Sequence, residues 1–294
     1  MTIEGALEAP LFSSDPSDAD IAEFRAWVRE AGRALYRDLP WRNTRDPYEV
    51  LVSEVMLQQT QVARVLVRWE RFLDRFPTVD ALASASTADV VDEWQGMGYN
   101  RRALALKRCA DECAVQHGGT IPRELEALTA LPGIGPATAA GVRAFSFDMP
   151  GVYLETNVRT VFLHELFPGQ CDVSDKQIAP LVQEACPREN VRGWYYALLD
   201  YGAYLKRTTV NPSRRSKEYT RQSKFEGSRR QKRAEIVRLV LAAPGIGAEQ
   251  VFEDLNDFER RAGRDGVTQD YFEGLLADLQ KEGFFSREDG RLIP

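Results

Sequence analysis

Two histidines in 294 residues leave little scope for a His-dependent hydrolase or a histidine-built zinc site. The four cysteines, at 109, 113, 171 and 186, are too few and too scattered for a disulfide scaffold. Cys109 and Cys113, one helical turn apart, read as core packing rather than half a metal site. No apolar run approaches the roughly 20 residues needed to span a bilayer. The opening MTIEGALEAPLFSSDPSD has neither a basic n-region nor an apolar h-region, so no secretory signal is visible and a cytoplasmic location is expected. Strand-like alternation is almost absent between residues 18 and 206.

What is present is an ordinary globular composition, 44% hydrophobic and 28% charged, with length for two or three cores. The net charge of −6 is unevenly spread. Between Lys206 and Arg238 twelve basic residues face three acidic ones, a local +9 that leaves −15 on the rest. Such a stretch is a solvated linker or a footprint for phosphates, and composition alone does not choose between them.

Helical periodicity predicts helices over 20–37, 47–76 with a break near Gln59–Thr60, 87–94, 101–117, 123–130, 137–145, 158–166, 176–185 and 193–205. Beyond the basic stretch, 230–243, 248–260 and 268–283 are helical, and Asp289-Gly290 between short extended pieces signals a hairpin. The expected organisation is an all-α core over 18–206 in two lobes with the site in their cleft, a basic connector over 207–228, and a winged-helix-like unit over 229–294.

Three segments carry chemistry. In SEVMLQQTQV, Glu54 puts a carboxylate at the edge of an apolar helical stripe. In LTALPGIGPATAAGV a Pro-Gly-Ile-Gly turn joins two helices; Gly133 and Gly135 let a ligand approach the backbone, and the N–H groups of Ala137 and Thr138 open the next helix toward a phosphate. In GVYLETNVRTVF, Glu155 and Asn157 suit a helix cap, and a cap carboxylate can also face a ligand. Each piece alone has a plain structural explanation.

Together with LPWRNTRDPYEVLVSEVMLQQTQV and the 76–106 stretch ending GMGYNRRALAL, these motifs resemble the helix-hairpin-helix DNA glycosylases of base excision repair, closest to the MutY-type adenine enzymes. The resemblance implies that Glu54 is the general acid for the departing base and that Glu155 stabilises the sugar cation, although the family has aspartate there. It implies that Asn157 orients the intermediate. Gln59 and Tyr99 correspond to wedge residues entering the duplex, and Trp41, Arg42 and Leu57 to the lining of the base pocket. Gly133, Gly135, Ala137 and Thr138, with Lys206, Arg214, Arg215 and Lys217 of the basic run, are the expected phosphate contacts. A monovalent cation could sit on the hairpin carbonyls.

Three departures matter. Ala137 stands where glycosylases with a lyase step have lysine, which implies a monofunctional enzyme; Tyr196 stands where adenine-specific relatives have glutamine or glutamate. After Gly202, where the family carries four cysteines, this chain has none, so no iron–sulfur cluster or other cofactor is expected. The expected substrate is double-stranded DNA with adenine opposite guanine or 8-oxoguanine, bound by a nucleoid-associated monomer without membrane contact. Another damaged or mismatched base, such as thymine, uracil or a damaged purine, and a non-catalytic DNA-binding role are the rival readings.

Overall fold

The computed structural model describes residues 12–294. Fourteen helices account for most of them: α1 Asp18–Leu35, α2 Pro47–Leu57, α3 Val62–Arg75, α4 Val79–Ser84, α5 Thr87–Glu93, α6 Arg101–Gln116, α7 Leu125–Ala130, α8 Pro136–Phe147, α9 Thr156–Glu165, α10 Asp175–Ala185, α11 Val191–Thr208, α12 Arg229–Ala242, α13 Ala248–Arg261 and α14 Gln269–Glu282. Three short strands, β1 Ile246–Gly247, β2 Ser286–Glu288 and β3 Arg291–Ile293, form an antiparallel sheet in the order β1-β3-β2. The expected all-helical architecture with a small α-plus-hairpin tail is what forms.

Local sequence explains the boundaries. Ser17 and Asp20 close a capping box at the start of α1. The long 47–76 helix breaks at the expected place: α2 ends at Leu57, Gln59 sits at φ 54°, and α3 resumes at Val62. In α3 the residues at one helical face, Val65, Trp69 and Phe72, are buried. Asp289 and Gly290 both take positive φ, 46° and 77°, as a two-residue hairpin turn requires. Two elements were not foreseen. Six-residue α4 is started by the Thr78 side chain accepting from the Ala81 N–H, and β1 is a two-residue edge whose Ile246 pairs with Leu292.

By compactness the chain divides into two units, each assembled from separated segments. The first comprises residues 12–54, 123–130 and 134–221. Its aromatic core centres on Phe24, whose ring meets Phe12, Phe162 and Trp194 edge to face at 5.2–6.0 Å. The second comprises 55–122, 131–133 and 222–294. Its C-terminal helices do not close a core of their own. Val91 of α5 and Leu104 of α6 join Ile236, Val237, Val240, Leu255, Phe272 and Leu276 in one buried cluster.

Candidate functional site

The first unit brings two other predicted residues, Glu155 and Tyr196, near the Glu54 carboxyl. Glu54, in the last full turn of α2, lies against the small-residue face of α8, where Ala139, Ala140, Gly141 and Ala144 are buried. Gly141 makes the approach possible: a Cβ there would stand 2.3 Å from Glu54 Oε2 and 2.9 Å from the Tyr153 ring. Tyr153 hydrogen-bonds Glu54, and Glu155 adds a second negative charge nearby. Burial, the largest cause, and that like charge push the Glu54 carboxyl up to about 8, against a smaller opposing effect from the Tyr153 hydroxyl. The residue retains some exposed surface, yet its carboxyl is enclosed by protein.

Glu155 is the N-cap of α9. Its Oε1 accepts the Asn157 and Val158 N–H groups, the latter at 2.9 Å, and its Oε2 takes the Asn157 amide at 3.4 Å. Burial raises the Glu155 carboxyl above its ordinary range, while the Val158 N–H, the Lys206 ammonium, the Asn157 N–H and Arg159 pull the other way. Capping and proximity to Glu54 therefore coexist in one side chain. The Asn157 Oδ1 is buried with no hydrogen-bond partner among the described residues, an acceptor left over beside the two acids.

Tyr196 of α11 lies in the same surroundings, since Glu54 contributes to holding its hydroxyl at about 12, after burial. Its ring stacks on Phe145 at 4.5 Å and 6° and lies under the Arg42 guanidinium at 4.3 Å. Arg42, expected to line the base pocket, is tied down by other partners. Its guanidinium is committed to a buried, bidentate pair with Asp200 at 2.7 and 2.8 Å and to the Arg37 carbonyl at 3.0 Å. It thus braces Tyr196 from behind. Trp41 is buried beside it in the same short turn, Pro40–Arg42.

The basic candidates separate by direction. Lys206 faces Glu155, which raises its pKa against the larger lowering effect of burial. Arg215 turns inward: its guanidinium donates to the carbonyls of Leu163, Phe167 and Gln170, capping the end of α9. That corrects the expectation that it meets phosphates. Arg214 and Lys217 are exposed. In the hairpin, Gly133 has φ 77°, whereas Gly135 caps α8 in extended backbone at φ −83°. Two glycines are thus used for two reasons, and only Gly133 needs the left-handed region. Gly135 and Ala137 are exposed and Thr138 is buried at the first turn of α8.

Leu57, Gln59 and Tyr99 belong to the second unit. Leu57 is half-buried and Gln59 exposed at its positive φ. Tyr99 shares that backbone conformation, at φ 49°, after Gly96 and Gly98 at 84° and 72°. One side chain absent from the sequence reading joins the two turns. Arg102 donates to the carbonyls of Val55, Met56 and Gln58 at 2.6–2.9 Å, to Thr60 Oγ1 at 2.8 Å, and to the carbonyls of Gly98 and Met97 at 3.0 and 3.3 Å. Tyr153 was also missed. Its signal was available: it precedes Glu155 by two positions in an extended stretch, which sends both side chains to the same face.

Residues 52–188 match the family model described as HhH-GPD superfamily base excision DNA repair protein. The adenine DNA glycosylase of Mycobacterium tuberculosis (strain ATCC 25618 / H37Rv) is 38% identical over 183 residues, 60% of this chain and 59% of that one. That of Mycolicibacterium smegmatis is 43% identical over 140 residues, 47% and 46% of the two chains. The human adenine DNA glycosylase is 37% identical over 152 residues, 49% of this chain and 28% of its own. The chain therefore spans about three-fifths of the mycobacterial relative's length. Among solved structures, a thermostable thymine-DNA glycosylase superposes with a TM-score of 0.56 at 24% identity, covering 62% of this chain and 86% of that one. An endonuclease III–DNA complex gives 0.54 at 21%, covering 63% and 86%. At those identities the likeness establishes the fold. Residues 52–188 thus resemble the HhH-GPD superfamily of base excision DNA repair proteins, a match over a little under half of the chain.

Proposed function

We propose that this protein is a monofunctional DNA N-glycosylase that releases adenine mispaired with guanine or 8-oxoguanine. The observation that carries the reading is the Glu54 carboxyl, enclosed beside Gly141 and Tyr153 and held protonated at neutral pH by burial and by Glu155. A core helix gains nothing from such a group. An acid that must hand over a proton near pH 7 needs such surroundings.

The reaction divides between the two carboxyls. The extruded base takes the Glu54 proton, the C1′–N glycosidic bond breaks, and the electron pair leaves with the neutral base. Positive charge left on the deoxyribose is met by Glu155, which has two N–H donors and Lys206 and Arg159 to favour its ionised form, while no cation among the described residues acts on Glu54 in that way. Water then adds to C1′ and returns a proton to Glu54. The Asn157 Oδ1 offers an acceptor for that water or for a sugar hydrogen.

Support for DNA as partner comes from the hairpin, where Gly135 and Ala137 expose the first turn of α8, and from Arg214 and Lys217 on the exposed face of the basic run. Ala137 offers no amine, which supports hydrolysis without strand cleavage. The names of the relatives support adenine.

Single-turnover release of free base from duplexes with adenine opposite guanine, 8-oxoguanine or thymine tests the reading; product from the first two and none from the Glu54→Gln variant is the expected pattern. A second reading, another damaged or mismatched base, is favoured by Tyr196. Its ring is sandwiched between Phe145 and Arg42 and presents no amide to an adenine edge. The same panel extended to uracil and thymine mispairs decides it.

A further inference from the structure

Tyr99 sits at the top of a turn that is costly to hold. A non-glycine residue at φ 49° gives up about 1 kcal/mol relative to ordinary backbone, and the side chain there is only half-buried. Arg102 fixes the turn from below, through the carbonyls of Met97 and Gly98, and its guanidinium lies 5.7 Å from the Tyr99 ring. That accounts for the backbone. It does not account for the phenol, which reaches the surface on a side chain with two rotatable bonds.

The phenol is held from the other end of the chain. Its oxygen accepts hydrogen bonds from the Arg230 guanidinium and, at 2.5 Å, from the Gln222 amide. Arg230 also covers the ring at 5.0 Å and is itself pinned by the Ser223 carbonyl at 2.7 Å and hydroxyl at 3.2 Å. It projects from the first turn of α12, and α12 is seated by Ile236, Val237 and Val240 in the cluster that includes Val91 and Leu104. Those two residues belong to α5 and α6, the helices flanking the Tyr99 turn. The tail and the turn are therefore joined twice, by apolar packing underneath and by a cation on the exposed ring.

We infer that the C-terminal region is a positioning element for Tyr99, acting through Arg230, with Gln222 as second donor. Arg230 is a positioning residue: it sets the ring's direction so that it arrives pre-oriented at the base stack, and it adds no contact of its own to the reacting atoms. An aromatic that must enter a duplex loses less freedom on insertion if its rotamer is already fixed. The inference rests on the reading above that Tyr99 enters the duplex, and it assigns the tail a task in that reaction.

The test is a double-mutant cycle on Arg230→Ala and Tyr99→Phe, with Arg230→Lys as the conservative variant and Arg229→Ala as a neighbouring charge removal. Arg229 pairs with Asp278 and lies over Tyr271, away from the turn. Two quantities are read: single-turnover base release, and the fluorescence rise of 2-aminopurine placed opposite guanine in a duplex, which reports base extrusion without chemistry. Arg230→Ala is expected to slow extrusion about tenfold with duplex affinity changed less than about twofold, Arg230→Lys to restore part of it, and Arg229→Ala to leave it alone. In the Tyr99→Phe background, where the shared oxygen is gone and only the ring contact remains, the same substitution is expected to cost clearly less than in the wild type, about threefold.

Equal losses from Arg230→Ala in both backgrounds would overturn the inference and make Arg230 an ordinary phosphate contact. So would an unchanged extrusion signal, or a wild-type protein that produces none. A wild-type protein that extrudes the probe yet releases no base sinks the glycosylase reading while leaving the cycle interpretable. Thermal melting of each variant separates loss of fold, since unfolding lowers both readouts and the transition temperature together.

Discussion

Replacing Glu54 by glutamine should abolish base release and, at neutral pH, make the protein harder to unfold. The carboxyl titrates at about 8 in the folded chain against an ordinary value of 4.5. A folded-state pKa raised above the unfolded one means that the native protein binds this proton more tightly. Stability is then intact below pH 4.5 and is lost as pH rises toward 8, at about 1.4 kcal/mol per unit. By pH 7 the accumulated cost is about 3 kcal/mol, and above pH 8 it levels near 5 kcal/mol. Glutamine keeps the shape and never ionises, so it escapes the whole penalty. Urea unfolding of both proteins at pH 5, 7 and 8.5 should show midpoints that nearly coincide at the lowest pH and diverge, glutamine variant ahead, as pH rises. In parallel, single-turnover base release should fall by about 10²–10⁴ with duplex binding retained. A stability difference that stays flat from pH 5 to 8.5 would refute the assignment of a buried, protonated acid, and release surviving within tenfold would remove Glu54 from the chemistry.

Other outcomes follow from the same geometry. Wild-type single-turnover rate should decline above pH 8 as Glu54 loses its proton, with a profile that is flat on that side if another group is the acid. Lys206→Met removes a cation that lowers the Glu155 carboxyl, so the acid limb of the profile should move to higher pH with affinity for duplex little altered; an unshifted limb would show that the two do not interact. Gly141→Ala drives a methyl to within 2.3 Å of the Glu54 carboxyl and should cut the rate by at least about tenfold while DNA binding persists, as measured by single turnover and by duplex titration. Asp200→Asn leaves the Arg42 guanidinium buried and unmatched and should destabilise the fold by about 3–5 kcal/mol in urea titration.

Much of this was legible in the chain because polar groups stood where packing alone would not put them. Glu54 on an apolar stripe and Glu155 before a helix announce themselves by type and position. Tyr153 announces itself less plainly, since an aromatic in a short apolar run looks like core unless its two-residue spacing from Glu155 is read as a shared face. Arg102 was hidden for a related reason: a basic residue in the first turn of a helix normally faces water, and nothing in the sequence shows six backbone and side-chain oxygens converging on it. Charge counting treated Arg214, Arg215 and Lys217 alike, although Arg215 alone closes the end of α9. The boundary of α2 was readable from its polar QQT break. Helix α4, six residues long, and β1, two residues long, fall below the length at which periodicity means anything.

The shared cluster around Val91 and Leu104 ties the fate of two distant stretches of sequence together. A descendant of this protein that lost everything after the basic run would carry bare valine and leucine on α5 and α6, and would aggregate or unfold unless those positions turned polar first. Exchange of the tail for another module meets the same obstacle. The ending of this chain is inherited as part of the body it covers.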